Sequence, residues 1–350
     1  MCMACPHQAL ASLDMPAATN ARVNGDSGMA VPDMVYSSTL AAIVGLGWSK
    51  DNLRLIADGW SQGATEVQVL FAALSLGPAG LADQLEGFPA VAKEGAAVKT
   101  NRTLAMSLCA TNGVLLQMSF PLTVVGAQLA GELATSARKG SQHAWTQNAF
   151  ATYTTIGSTS TAYTGFIVAA FIWRQSPEVP MPSHNASLWT LHSSDLSELI
   201  DCENYPPTPF HEVPNGAYKD SPQQAQHDCT LNKLGAVIWF VGSKKAMHFS
   251  DASGVQIALS DAPTLSYVSP VADCGIALLG EEGKVAMLST YRFAAVFPDP
   301  HSPGLHVNLR GEVGERVTLL YVRISEGLTV QRLQATVGPS GTVGVTISQA

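Results

Sequence analysis

At 350 residues with 46% hydrophobic content, the chain is long enough to bury a substantial core, as two domains or one large one. Nineteen Lys plus Arg against twenty-seven Asp plus Glu leave a formal net charge of -8, with no basic cluster to offset it, which argues against a nucleic-acid partner. Charged residues are only 13% of the chain, so the surface should be polar but weakly charged, which suits carbohydrate or protein contacts.

Met1 to His7 has neither the positive start nor the long apolar run of a signal peptide. The apolar stretch Ala162 to Trp173 is too short for a membrane span and is closed by Arg174. No address is visible, and a secreted or a cytoplasmic location stays open.

In chain order, the first organised signal is a short apolar segment followed by Asp14 to Asn20 and the polar turn Asn24-Gly25-Asp26-Ser27-Gly28. A helix is expected from about Asp33 to Leu46, capped by Asp33 and ended by Gly45 and Gly47. Val67, Leu70, Phe71 and Leu74 recur at helical spacing, with Gly77-Pro78 as the stop. Leu81 to Gln84 suits a short strand or turn. The next helix should run from roughly Thr103 to Ala110, before Asn112-Gly113. Gly126 to Gly140 reads as a connection or a weak helix. Strand character begins by Thr152 and is firm from Tyr163 to Trp173. Ser176 to Asp228 is extended and proline-bearing, with regular elements only at Leu188 to Leu191 and Leu196 to Leu199.

From Leu234 strand signals dominate: Ala236 to Val241, Ala246 to Phe249, Val255 to Leu259, Leu265 to Val268, Gly275 to Leu279 and Val285 to Ser289. Glu282-Gly283 would turn a hairpin between the last two. Leu305, Val307 and Leu309 alternate with His306, Asn308 and Arg310, and the same period recurs at Val317, Leu319 and Tyr321 and at Val343, Val345 and Ile347. In Leu328 to Val337 the apolar phase shifts, as at a bulge. Short strands at this spacing predict a sandwich closing the chain.

Few residue patterns compel chemistry. Asn101-Arg102-Thr103 and Asn185-Ala186-Ser187 are glycosylation acceptors, at Asn101 and Asn185, if the chain enters the secretory route. Cys202 and Cys229 bracket a loop that a disulfide could close, while Cys2 and Cys5 have CxxC spacing without a second pair, which favours an apolar strand over a metal site. His143, His184, His192, His211 and His227 have no ligand spacing. No metal and no cofactor is expected.

The segment Cys2 to Cys5 through Ala21-Arg22-Val23-Asn24-Gly25-Asp26 resembles the part of raffinose synthases and related family 36 α-galactosidase-like glycoside hydrolases in which a late barrel strand leads to an Arg and a Ser-Asp-Asp-like turn. Here Asn24-Gly25 replaces the Ser-Asp part and Ser27 the usual aromatic. Trp60 to Gly63, Ala73 to Pro78, Ala82-Asp83, Asn101 to Leu104, Asn112 to Leu116 and Pro121 to Thr123 are similar to that family's barrel end and its exit into the β domain. Leu278 to Lys284 and Tyr291-Arg292-Phe293 resemble motifs of eukaryotic hydrolase-like relatives.

The resemblance implies residues 1–125 as the C-terminal part of a (β/α) TIM-type barrel, 126–160 as a connection and 161–350 as a β-rich, sandwich-like domain. It places Asp26 as the general acid/base, the other reading being a turn carboxylate bonding its own backbone. Polar forks and flat apolar faces hold sugars, so Arg22 and Trp60 are candidate substrate contacts, the other readings being a strand-end cap for Arg22 and packing beside the helix near Ala64 for Trp60. Retaining hydrolysis needs a second carboxylate as nucleophile, which the resemblance puts before Met1. The expected partner is therefore an α-linked galactoside or related glycan, joined for turnover by a missing N-terminal barrel segment or another subunit. The alternative is a non-catalytic carbohydrate-binding or structural protein of hydrolase descent.

Overall fold

The computed structural model describes residues 20–22, 47–53, 74, 79–81, 102–120, 122–125, 145–157, 162–174, 188–200, 235–249, 254–260, 263–299 and 303–349. The first elements are three short strands, β1 (Asn20–Arg22), β2 (Gly47–Leu53) and β3 (Ala79–Leu81), which pair parallel in the order β1-β2-β3. Parallel neighbours need long crossovers, and the chain length between these strands supplies them.

This sheet is open. A barrel requires its last strand to pair back onto its first with a fixed stagger, whereas β1 and β3 each have β2 as sole neighbour among the described residues. The TIM-type barrel expected for residues 1–125 is thus corrected: no sheet among the described residues closes into a barrel, and the architecture is mixed α/β with several antiparallel sheets.

A short helix, α1 (Arg102–Leu108), follows. Its last turn leaves carbonyls without helical partners, and Lys284 from a distant turn donates Nζ to Met106 O at 2.8 Å and to Cys109 O at 2.7 Å. Beyond it Asn112 Oδ1 accepts from Val114 N at 3.1 Å, a local turn that ends the helical path.

Next come β4 (Thr123–Val124), β5 (Trp145–Ile156), β6 (Tyr163–Arg174), β7 (Leu188–Leu191) and α2 (Ser193–Ile200). After them run β8 (Ala236–Phe240), β9 (Met247–Phe249), β10 (Val255–Ala258) and β11 (Thr264–Pro270). Six of these form an antiparallel sheet in the order β4-β5-β6-β11-β8-β9, while β7 and β10 pair separately. The helix α2 is closed at its start by Asp195, whose carboxylate accepts from His192 N at 2.8 Å.

The near-continuous apolar run of β6 has its reason in this sheet. Phe166, Val168, Ala170 and Ile172 pack on one face with Leu191, Leu196, Leu199 and Ile257 of the β7/α2/β10 layer. Ile167, Ala169 and Phe171 pack on the other with Trp239, Tyr267, Ala277, Leu279, Leu320 and Val322. A strand covered on both faces loses polar alternation. Among the described residues no helix is long and apolar enough to cross a membrane.

The chain ends with β12 (Ile276–Glu281), β13 (Phe293–Pro298), β14 (Gly304–Arg310), β15 (Arg316–Arg323), β16 (Val330–Thr336) and β17 (Thr342–Ser348). They make two antiparallel sheets, β12-β15-β16 and β13-β14-β17. Ile276, Leu278, Val317, Leu319 and Tyr321 of the first sheet share one core with Phe293, Val296, Leu305, Val307, Leu309 and Ile347 of the second. The opposite face of the first sheet supplies Ala277, Leu279, Leu320 and Val322 to the core beneath β6. The two sheets thus face each other across one core, and a further layer lies against the first, so that β12 and β15 are buried on both sides.

Two local readings also change. No bulge interrupts β16, which stays in register with β15 from Val330 to Thr336. The irregularities fall instead between Leu278 and Gly280 and between Phe293 and Ala295. Val285 to Ser289 forms turns rather than a strand, although Met287 O accepts from Glu281 N at 2.8 Å and Ala286, Met287 and Leu288 are buried.

Candidate functional site

Of the residues singled out from sequence, Asp26, Trp60, Asn101, Asn185, Cys202 and Cys229 lie outside the described residues. Arg22 is the last residue of β1, in register with Ser49 of β2. That position is the carboxyl end of a parallel strand, the end at which open α/β sheets bind ligands. The described chemistry lies elsewhere, in three places.

The first is buried. Arg292 is only 1% exposed and sits in the turn between β12 and β13. Its guanidinium engages five acceptors: Nε donates to Glu281 Oε2 at 2.7 Å, Nη1 to Arg310 O at 2.7 Å and Glu315 Oε2 at 2.9 Å, and Nη2 to Glu315 Oε1 at 2.6 Å and Glu281 Oε1 at 3.4 Å. This planar fork suits two carboxylates and a carbonyl in a way no lysine could reproduce.

Glu315 also accepts from Thr111 Oγ1 at 2.6 Å and from Glu312 N at 3.0 Å. Burial by itself would lift its pKa, but the hydrogen bonds from Arg292, Thr111 and the Glu312 amide hold it down to about 2. Glu281 behaves oppositely, because burial raises its carboxyl above the usual range despite the Arg292 charge beside it. Both carboxylates are thus committed to one cation. A glycosidase pair must instead flank an open cleft, with one carboxyl free to give a proton.

The second place is a shallow cleft of about 310 Å³ lined by Cys274, Gly275, Ile276, Arg323, Ser325 and Gln349. Arg323 is held by Ser348 O at 3.0 Å, Glu326 at 2.7 Å and Gln331 at 2.7 Å, and lies over the Tyr321 ring. Burial pushes the Cys274 thiol up, away from the reactive thiolate. Among the described residues no group of three His, Cys, Asp or Glu side chains could hold a metal.

The third is the outer face of the β13-β14-β17 sheet. Strand register sets His306 opposite both Phe297 and Thr346, and Asn308 opposite Gly344. His306 Nδ1 is 3.0 Å from Thr346 Oγ1, and its Nε2 is 3.0 Å from Asn308 Oδ1. Thr346 Oγ1 donates to Asp299 Oδ2 at 3.3 Å, and the Phe297 and His306 ring centroids are 5.0 Å apart. These side chains are half-buried, ordered by one another yet open to solvent.

The polar phase of β14 was visible in the sequence as His306 and Asn308. Their partners on β13 and β17 carry no local signal and are found through register alone. Arg292 and Glu281 fall within the quoted motifs Tyr291-Arg292-Phe293 and Leu278 to Lys284, but their joint pairing with Glu315 is a tertiary fact.

No family model matches the chain, and no curated protein matches it. The TIM-barrel, family 36 and raffinose-synthase terms suggested by short motifs are corrected accordingly: no sheet among the described residues closes, and no match to a known family stands behind them.

Proposed function

We propose that this chain is a carbohydrate-binding protein that does not cleave glycans by itself. The observation that carries the reading is the commitment of Glu281 and Glu315 to Arg292, which removes two buried carboxylates among the described residues from acid/base work. The weakly charged surface, 13% charged residues over the whole chain, suits an uncharged, hydroxyl-rich ligand.

A second reading rests on the position of Arg22 at the carboxyl end of a parallel strand, four residues before Asp26. In that reading the chain supplies a general acid/base and an orienting Arg to a site completed by a nucleophile from another segment or subunit.

The full chain should bind an α-galactoside in calorimetry and release no aryl leaving group from an aryl α-galactoside. Turnover abolished by Asp26→Asn would overturn the first reading in favour of the second. Binding without turnover, unchanged in D26N, supports the first.

A further inference from the structure

We propose that the open edge of β17 is a self-association surface, on which a second copy of this chain adds its own β17 antiparallel about a two-fold axis at Val345, joining two β13-β14-β17 sheets into one. The surface lies outside the carbohydrate-binding reading and does not depend on it.

The register of the sheet decides which backbone groups β17 offers. Antiparallel neighbours alternate between opposed residues that exchange hydrogen bonds and opposed residues that do not. Just beyond each end of the β14/β17 ladder the opposed residues bond: Gly311 N donates to Gly341 O at 3.0 Å and Gln349 N to Pro303 O at 2.7 Å. Counting inward by twos from either end turns the backbone groups of Val343, Val345 and Ile347 toward β14. Those of Thr342, Gly344, Thr346 and Ser348 point the other way, where β17 has no neighbouring strand among the described residues. The ends of this row are closed, since Gly338 N donates to Thr342 O at 3.1 Å and Arg323 Nε to Ser348 O at 3.0 Å. The open stretch is Gly344 to Thr346.

An uncovered strand edge is ordinarily blunted by charge, proline, a bulge or cover. The other strands of the last two sheets show these devices. β16 carries Arg332, paired with Glu282, and its first residue Val330 donates N to Lys244 O at 3.0 Å. β13 is broken in register between Phe293 and Ala295 and ends in Pro298. On β12 the Leu278 amide donates to Tyr163 Oη at 2.8 Å. β17, Thr-Val-Gly-Val-Thr-Ile-Ser, has no charge and no proline, and stays in unbroken register with β14.

The sequence of β17 selects the occupant. Two chains of net charge -8 repel, so they meet most readily along a strand on which neither carries charge. An axis at Val345 sets Val345 against its own copy, Val343 against Ile347, Thr342 against Ser348 and Gly344 against Thr346, so β-branched apolar residues face their like and hydroxyls face hydroxyls. The same axis matches the open backbone groups. Gly344 and Thr346 of opposite copies exchange hydrogen bonds in both directions, while the two Val345 residues form a close pair without them. Val343 and Val345 are only half-buried against the core of the two sheets, and the second copy's β17 completes their cover. The joined sheet ends on two copies of β13, whose break and proline stop further growth, so assembly closes at a dimer.

The test is sedimentation of the full chain and of Thr346→Pro over a range of concentrations, with mild oxidation of Val345→Cys and Val343→Cys beside the unaltered chain, whose own cysteines set the background. The unaltered chain should pass from monomer to dimer as concentration rises. Thr346→Pro removes an outward N–H that β14 does not use, so it should stay folded in melting curves and weaken dimerisation by about tenfold or more. Val345→Cys should give a disulfide-linked dimer above background, because its opposed Cα atoms lie about 4.5 Å apart; Val343→Cys should not, because its two copies are roughly 13 Å apart along the strands. A chain monomeric at every concentration, a folded T346P that dimerises undiminished, or V345C that links no more than V343C would overturn this pairing. If T346P does not fold, the contrast between the two cysteine variants decides alone.

Discussion

Arg292 shows how far one residue can carry a structure. Its side chain joins the end of β12 through Glu281, the end of β14 through Arg310 O and the loop before β15 through Glu315, and Thr111 ties the segment after α1 to the same carboxylate. Arg292→Met would leave two carboxylates without their cation in a water-poor site, a change expected to cost about 3–5 kcal/mol in chemical denaturation. The pH dependence has a defined sign. The folded pKa of Glu315, about 2, lies below its unfolded value, so its stabilisation is complete above roughly pH 4.5 and is lost as pH falls toward 2. Glu281, with a raised pKa, contributes in the opposite sense, losing stability as pH rises through its folded value. Melting temperature against pH should therefore lose much of its acid fall in Glu315→Gln and keep it in Glu281→Gln.

At the level of elements, the segment after β12 teaches most. The apolar residues Val285 to Ser289 predict a returning hairpin strand, since a turn at Glu282-Gly283 precedes them. The structure instead folds them into turns that press Met287 onto β12, with the bulge between Leu278 and Gly280 making room. Gly280 has φ +119°, and a Cβ there would lie 2.4 Å from Met287 O, the acceptor of the Glu281 amide. Gly280→Ala should cost about 1–3 kcal/mol from backbone strain alone and more from the clash, measured by denaturant unfolding. A stability unchanged by this substitution would show that the bulge does not need its glycine. β13 was missed from sequence for a related reason: after its own irregularity at Phe293 to Ala295, its apolar residues break the simple period. β6, β8, β14, β15 and β17 were legible because each carries an unbroken apolar or alternating run.

Across the molecule, β12 and β15 belong to two cores at once, with Leu319 facing the β13-β14-β17 sheet and Leu320 the six-stranded sheet. Layers that share strands should unfold together. Leu319→Ala and Leu320→Ala are each expected to cost about 2–5 kcal/mol and to shift one common transition, seen both by far-ultraviolet circular dichroism and by tryptophan fluorescence, to which Trp239 in the Leu320 core contributes. Separate transitions for the two variants would mean that the cores are independent units.

The sequence by itself determined which segments are strands over much of the second half, because burial of one or both faces imposes a period that a single chain displays. It also marked the outward phase of β14, where His306 and Asn308 stand. Only the tertiary structure decided that, among the described residues, β1, β2 and β3 form an open parallel sheet, that Ile276 to Leu279 lies between two cores, and that Glu281 and Glu315 meet at Arg292. These depend on register and layer order, which are set by contacts between residues far apart in the chain. A local pattern of apolar and polar side chains specifies which faces seek cover, and the packing of distant elements specifies what covers them.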